Sequence, residues 1–245
     1  MTGRAHAAAR PLYQQIKDRI AERIARREWT PGQKIPSENE IVRELGVSRM
    51  TVNRALREMA QEGHLLRVAG VGTFVAEPPR RASLVEIRDI AEEVRASGSK
   101  HRAEVLRRRE VTLDAAAAER MEDQVGAPAY RVTLIHRRDE LPIQHEDRYI
   151  APAFLPDFLD LDFTRATPSE VLLGRIAPEE VEHTVQAVAV DGELRRQLAM
   201  PPDEPALQLV RRTWSRGRVV TSAVLTYPSS RYALSARYAV NRPGR

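Results

Sequence analysis

The chain contains no cysteine, which excludes a disulfide framework and any thiolate chemistry, catalytic or metal-binding. That suits a reducing compartment. It also has no apolar run near the ~20 residues that a spanning helix needs, and its opening MTGRAHAAARPLYQQ lacks the apolar core of a signal peptide. A cytoplasmic protein with no membrane partner is expected. Metal-ligand spacings, a glycine-rich phosphate loop and a nucleophile elbow are missing too, so no metal, cofactor or catalytic residue is expected. No internal repeat stands out, and no low-complexity tract beyond AAAAER. Hydrophobic residues at 42% and charged residues at 30% lie near globular averages and point away from disorder or a fibrous repeat.

What is present starts with length and the placement of charge. At 245 residues the chain is comfortable for two domains, each with its own core. Residues 1–81 hold 15 Lys and Arg against 9 Asp and Glu, and the remainder 24 against 25, so the net +5 is entirely N-terminal. A basic small domain joined to a near-neutral larger one directs the first at a polyanion. A general arginine bias of the proteome is the competing account.

Hydrophobic periodicity orders the N-terminal part. Leu12, Ile16, Ile20 and Ile24 recur every four residues behind Pro11, predicting an amphipathic helix of about four turns. Pro31-Gly32 and Pro36 break it, and Ser37 with Glu40 three residues on forms a capping box for a short second helix ended by Gly46. Ser48 caps a third helix with Val52, Leu56 and Met59 on one face and Gly63 as its stop. HLLRVAGVGTFVAE then reads as a two-stranded hairpin. Helix, helix-turn-helix and hairpin is the order of a winged helix-turn-helix. The expected division is residues 1–76 for this domain, a Pro- and Arg-rich linker over 77–83, and residues 84–245 for the second domain.

The second domain opens with the predicted helix SLVEIRDIAEEVRASG and then alternates strands with short helices. It reads as α+β with a meandering, mainly antiparallel sheet. Two hairpins are expected, around residues 139–142 and 215–217.

A recognition helix needs short polar and basic side chains at its N-terminal end, because only that end reaches base edges. Ser48, Arg49, Thr51, Asn53 and Arg54 supply them. Arg49 suits a bidentate pair with guanine, and Ser48, Thr51 and the helix amides suit phosphates. Gly70 and Gly72 at the hairpin tip allow close approach to a minor groove. An ordinary helical hairpin with a solvated basic face is the alternative.

LYQQIKDRIAERI, GQKIPSENEIVRELGVSRMTVNRALREMAQEGHL and RVAGVGTFVA together resemble the DNA-binding domain of GntR-family transcription regulators, over roughly residues 11–76. The resemblance implies a homodimer on a palindromic double-stranded operator, with contacts from Ser48, Arg49, Thr51, Asn53, the wing glycine Gly70 and the second helix near Asn39. Many relatives carry Arg at the position of Asn39, so a contact there is weaker or differently aimed. The C-terminal half is similar to the ligand-sensing (UTRA) domain of the family's HutC branch, a fold shared with chorismate lyase. RVTLIHRRDELPIQHEDRYIAP, TPSEVLL, VEHTVQAV and RRTWSRGRVVTSAVLTYPSSRY carry that likeness. Phosphosugar-sensing members hold phosphate with an arginine pair that corresponds here to Leu134 and His136. The resemblance therefore implies urocanate as effector, with another carboxylate or an amino sugar phosphate as the alternative.

Urocanate joins one carboxylate to one imidazole through a flat alkene. A carboxylate prefers a guanidinium fork, for which Arg102 and Arg148 are candidates; an imidazole needs an acceptor and a donor, roles open to Gln144, Glu146 and His136. In PIQHEDR the period of a strand puts Gln144, Glu146 and Arg148 on one face. A surface ion pair is the plainer account of the last two. His136 shares phase with Val132 and Leu134 and also fits a core histidine, Arg102 fits a solvated edge-strand charge, and His183 fits either role. Thr167 and Tyr232 enter by family position alone. The chorismate-lyase likeness raises an enzyme as the rival class, against which stands the basic winged helix that a lyase does not need.

Overall fold

The computed structural model describes residues 11–76, 80–83 and 89–235, which fall into two compact units divided after residue 78. In the first unit Pro11 caps α1 (Leu12–Ala25), and Ile16 and Ile20 are its buried stripe. Leu12, in phase with them, is instead exposed. Helix α2 (Glu38–Leu45) begins at the capping box: Ser37 Oγ accepts from Glu40 N, and Ser37 N donates to the Glu40 carboxylate at 2.8 Å. Two orphan donors are thereby satisfied, an arrangement worth ~1 kcal/mol. Gly46 turns the chain at φ 63°, a left-handed conformation that strains other residues, and Ser48 caps α3 (Arg49–Gln61). Ile16, Ile20, Ile35, Ile41, Val52, Leu56 and Met59 pack with Leu65 and Val75 into one core. The last two belong to the antiparallel wing, β1 (Leu65–Val68) and β2 (Gly72–Val75). The core thus fixes the polar end of α3 and the wing to one frame.

The second unit is built on a six-stranded antiparallel sheet. Its strands are β4 (His101–Thr112), β5 (Pro128–Arg138), β6 (Leu141–Ile150), β7 (Glu180–Val188), β8 (Ala206–Ser215) and β9 (Arg218–Pro228), in the spatial order β4-β5-β6-β9-β8-β7. Each half runs strand, short helix, strand, two-residue turn, strand, with α5 (Ala115–Met121) in the first and α7 (Gly192–Gln197) in the second. The topology repeats although the sequence does not, because a repeat of this kind asks only for similar patterns of burial. The turn at Arg216-Gly217 has φ of 53° and 68°, the type I′ geometry that matches strand twist.

Helices α5 and α7 pack on one sheet face, against Ala129 and Tyr149 and against Ile135 respectively. The opposite face buries Val132, Leu134 and Ile150 against Leu155, Phe158, Phe163 and Leu172, the last on α6 (Pro168–Arg175).

Two boundaries differ from those read in the sequence. The helix expected over residues 83–98 begins at Ile90 as α4 (Ile90–Ala96), because Asp89 is its cap and accepts from Ala91 N and Glu92 N; residues 84–88 lie outside the described ones. Of the expected linker, 77–79 also lie outside them, and 80–83 are not linker but strand β3 (Arg80–Ser83), paired parallel with β10 (Tyr232–Ser235). That partner is some 150 residues away in the chain, so local composition carries no trace of it.

Candidate functional site

The polar end of α3 is presented as the sequence implied. Ser48 Oγ accepts from Thr51 N at 3.2 Å and lies 2.8 Å from Thr51 Oγ1, so these hydroxyls are shared between capping and any outside partner. Arg49 and Met50 project into solvent, Met50 with 84% of its surface exposed. Arg54 is more committed: its guanidinium lies 3.8 Å over the Tyr13 ring and donates to Glu58 at 2.9 Å. A groove of about 770 Å³ is lined by Tyr13, Glu38, Arg49, Met50, Asn53 and Arg57, among others. Gly70 holds φ 72° at the wing tip. Asn39 is exposed on α2, its carbonyl accepting from Arg43 Nε. Glu38, which the sequence reading passed over, accepts from Asn53 Nδ2 at 2.8 Å and from the wing residue Arg67 at 2.5 Å.

In the second unit the inner sheet face carries a buried polar chain. Glu146 is its centre: Oε1 accepts from Arg148 Nε at 2.5 Å, and Oε2 lies 2.9 Å from His136 Nε2. Burial alone would raise the Glu146 pKa, but the Arg148 charge and the His136 hydrogen bond outweigh it and hold the carboxyl at about 2. Since Glu146 is ionised, the proton of that contact sits on His136. The other His136 nitrogen lies 3.0 Å from His101 Nε2, and burial, with His136 beside it, pushes His101 down to about 4. Arg148 also donates to Thr221 at 3.2 Å and to Ser169 at 3.0 Å. Gln144 donates to Tyr227 at 2.5 Å while its buried Oε1 has no partner among the described residues.

Beside this chain lies Arg211, 6% exposed, whose Nε donates to His183 Nε2 at 2.9 Å. Burial lowers its pKa. Arg148, Arg211, Ser169, Thr213 and Thr221 form the polar wall of a cavity closed by Leu172, Leu173, Ile176, Pro178 and Val220. Its volume of about 20 Å³ is scarcely one water. A site with two guanidiniums, one carboxylate and an apolar lid is suited to a small anion with a flat apolar body.

Three comparisons bear on this geometry. The profile of the bacterial regulatory proteins, gntR family, matches residues 12–75, and that of the UTRA domain matches residues 96–233. The chain is 43% identical over 232 residues to the histidine utilization repressor of Pseudomonas putida, covering 93% of this chain and 92% of that one. It is 42% identical to the histidine utilization repressor of Klebsiella aerogenes, with 95% and 96% covered.

The chain belongs to the GntR family.

Its UTRA domain makes it a regulator of the HutC branch, a DNA-binding transcription regulator rather than an enzyme. Among solved structures, the C-terminal domain of the histidine utilization repressor from Pseudomonas syringae pv. tomato is 30% identical with a TM-score of 0.55, covering 58% of this chain and all of that one. PhnF from Mycobacterium smegmatis, at 21% identity, shares the fold with a TM-score of 0.64 over 94% of this chain and all of that one.

The residues expected to bind the effector of this GntR-family regulator divide into three groups. Gln144, Glu146 and Arg148 share one buried face, as the strand period implied, and the pairing of His136 with Gln144 across β5 and β6 puts His136 on it too. Thr167 and Tyr232 lie one layer away: Thr167 caps α6 and donates to Asp89, while Tyr232 stacks on Tyr227 at 3.9 Å and donates to Glu93 at 3.0 Å. Arg102 is not brought to the site. It pairs in register with Arg137 next to the Ala103–His136 pair, so the alternation of the strand turns it to the opposite, exposed face. Arg211, His101 and Tyr227 went unseen. The period-two phase of Arg211 with Leu209 and Thr213 was the available signal, masked by the neighbouring Arg212, which turns outward to Glu182 and Glu122.

The buried titrations set an acid limit on stability. A folded His101 held at about 4 against an ordinary 6.5 refuses a proton that the unfolded chain takes up, so stability is full above pH 6.5 and falls toward pH 4. His145, lowered by burial, acts with the same sign. Glu146, depressed from 4.5 to about 2, adds a second loss below pH 4.5. The thermal midpoint is expected to drop steadily from pH 7 to 4, and His101→Asn to flatten the upper part of the drop. A flat wild-type profile between pH 6.5 and 4.5 would contradict the assignment.

Proposed function

We propose that this protein is a homodimeric, cytoplasmic repressor of histidine-utilisation genes that binds a palindromic operator and is released from it by urocanate. The observation that carries the reading is the likeness, at 41–43% identity over more than nine tenths of the chain, to three histidine utilization repressors. The chemistry of the second unit supports the ligand. Arg211, which donates to the His183 imidazole, and Arg148 offer further donors to a carboxylate; Glu146 and the Gln144 Oε1, which has no partner among the described residues, offer acceptors to an imidazole N–H. His136 is engaged with Glu146 where the phosphosugar-sensing branch has arginine, which disfavours a phosphate. Admission of a planar ligand would require α6 to move off the two arginines. Helix α6 is tied to Arg148 through Ser169, and to α4 through Thr167 and Asp89, so its displacement reaches the N-terminal edge of the domain.

The test is operator affinity by fluorescence anisotropy, with and without urocanate. A loss of at least tenfold at saturating ligand is expected, as release needs a coupling of about 1–3 kcal/mol. Unchanged affinity at saturation sinks the urocanate assignment. Glucosamine 6-phosphate serves as the competing ligand, and weakening by it alone would reassign the effector to a sugar phosphate.

A further inference from the structure

Glu38 is an acid in the middle of a surface meant for a polyanion. A carboxylate there repels phosphate, so its presence asks for a compensating role. It is the first residue of α2, and its side chain is only 18% exposed. Oε1 accepts from Asn53 Nδ2 on the recognition helix and from Arg67 Nη2 on the first wing strand, at 2.8 and 2.5 Å. Oε2 faces Arg49 Nε at 3.5 Å. One carboxylate thus gathers three elements, α2, α3 and β1.

We propose that Glu38 is a positioning residue for sequence readout: it clamps the wing to the recognition helix and aims Asn53 and Arg49 at base edges. A long side chain left free samples many rotamers and loses that entropy on binding. Asn53, held by Oε1, meets the duplex already oriented, and the charge at Oε2, 3.5 Å from Arg49 Nε, draws the exposed Arg49 side chain toward the same groove. Both lone-pair directions of Oε1 are occupied by protein donors, so that oxygen acts through the side chains it holds and not as a direct acceptor from a base. Because specificity comes from base contacts and baseline affinity from phosphate contacts, the role predicts opposite effects on the two. Loss of the clamp weakens the specific complex. Loss of the charge leaves non-specific binding unchanged or tighter.

The experiment uses the full chain and an operator duplex selected by the wild-type protein from random DNA, with a scrambled duplex of the same length beside it. Glu38→Gln is expected to weaken the selected duplex about tenfold or more, the scale of one misplaced base contact, with the scrambled duplex bound as well or better. Glu38→Asp keeps the charge but is one methylene too short to span Asn53 and Arg67, and is expected to lose the selected duplex to a similar degree. If either variant binds the selected duplex as tightly as wild type, the proposal is overturned. So too if both duplexes tighten together in Glu38→Gln, which would make Glu38 an electrostatic guard only. Aspartate is favoured in the first turn of a helix, so the aspartate variant carries the test should the glutamine variant fail to fold.

Discussion

With urocanate as the proposed effector, Arg211→Met is expected to give a repressor that folds, binds its operator and responds to urocanate only at far higher concentration. Arg211 is buried on the inner face of β8, and the hydrogen bond it makes from Nε goes to an imidazole nitrogen, His183 Nε2. A guanidinium so placed carries a desolvation cost, which methionine of similar length removes while filling most of the space. What methionine cannot supply is the fork for a carboxylate. Out of bulk solvent that interaction is worth about 3 kcal/mol, so urocanate affinity should fall on the order of 100-fold. Calorimetric titration measures the loss, and a thermal midpoint at or above the wild-type value shows that the loss is local. Wild-type affinity in Arg211→Met would mean that the carboxylate is held elsewhere. Arg148→Ala is the poorer probe. Arg148 neutralises Glu146 and bonds Thr221 and Ser169, so its removal leaves a carboxylate buried without its cation, which alone costs about 3–5 kcal/mol.

The contrast between these two arginines shows where sequence reading reaches and where it stops. Glu146 and Arg148 were legible because both sit on one strand, and a period of two is a property of the strand alone. The first unit was legible for a related reason: its caps at Ser37 and Ser48 and the turn at Gly46 are contacts within a few residues. Arg211 lies on a strand two places from β6, and its neighbourhood with Arg148 depends on the order β6-β9-β8. No local pattern states that order. Likewise the β3–β10 pairing, the Thr167–Asp89 contact and the His101–His136 contact join residues 35 to about 150 positions apart. Arg102 failed for the opposite reason. A basic charge in HRAEVLRRRE suggests a binding role, but one residue of phase against His136 decides the face. Glu38 was invisible because an acid one residue after a cap already has a local explanation in the helix dipole.

Arg49→Ala carries the largest effect expected on DNA. Arg49 is the first residue of α3, its side chain 74% exposed, with Glu38 at 3.5 Å as its nearby acid. Removal of its side chain therefore opens no cavity and strips no cap, and the fold should be unchanged. A bidentate arginine–guanine pair is worth ~1–3 kcal/mol, so affinity for the selected operator should fall roughly 10- to 100-fold. Binding to a scrambled duplex should persist, with a salt slope shallower by at most about 1. The neighbours do not offer so clean a test. Ser48 caps Thr51 N and Arg54 packs on Tyr13, so alanine at either confounds readout with the stability of α3 and its contact to α1. If Arg49→Ala weakens both duplexes equally, Arg49 is a phosphate contact. Readout would then have to come from Met50, Thr51 and Asn53, and the Glu38 clamp would act through Asn53 alone.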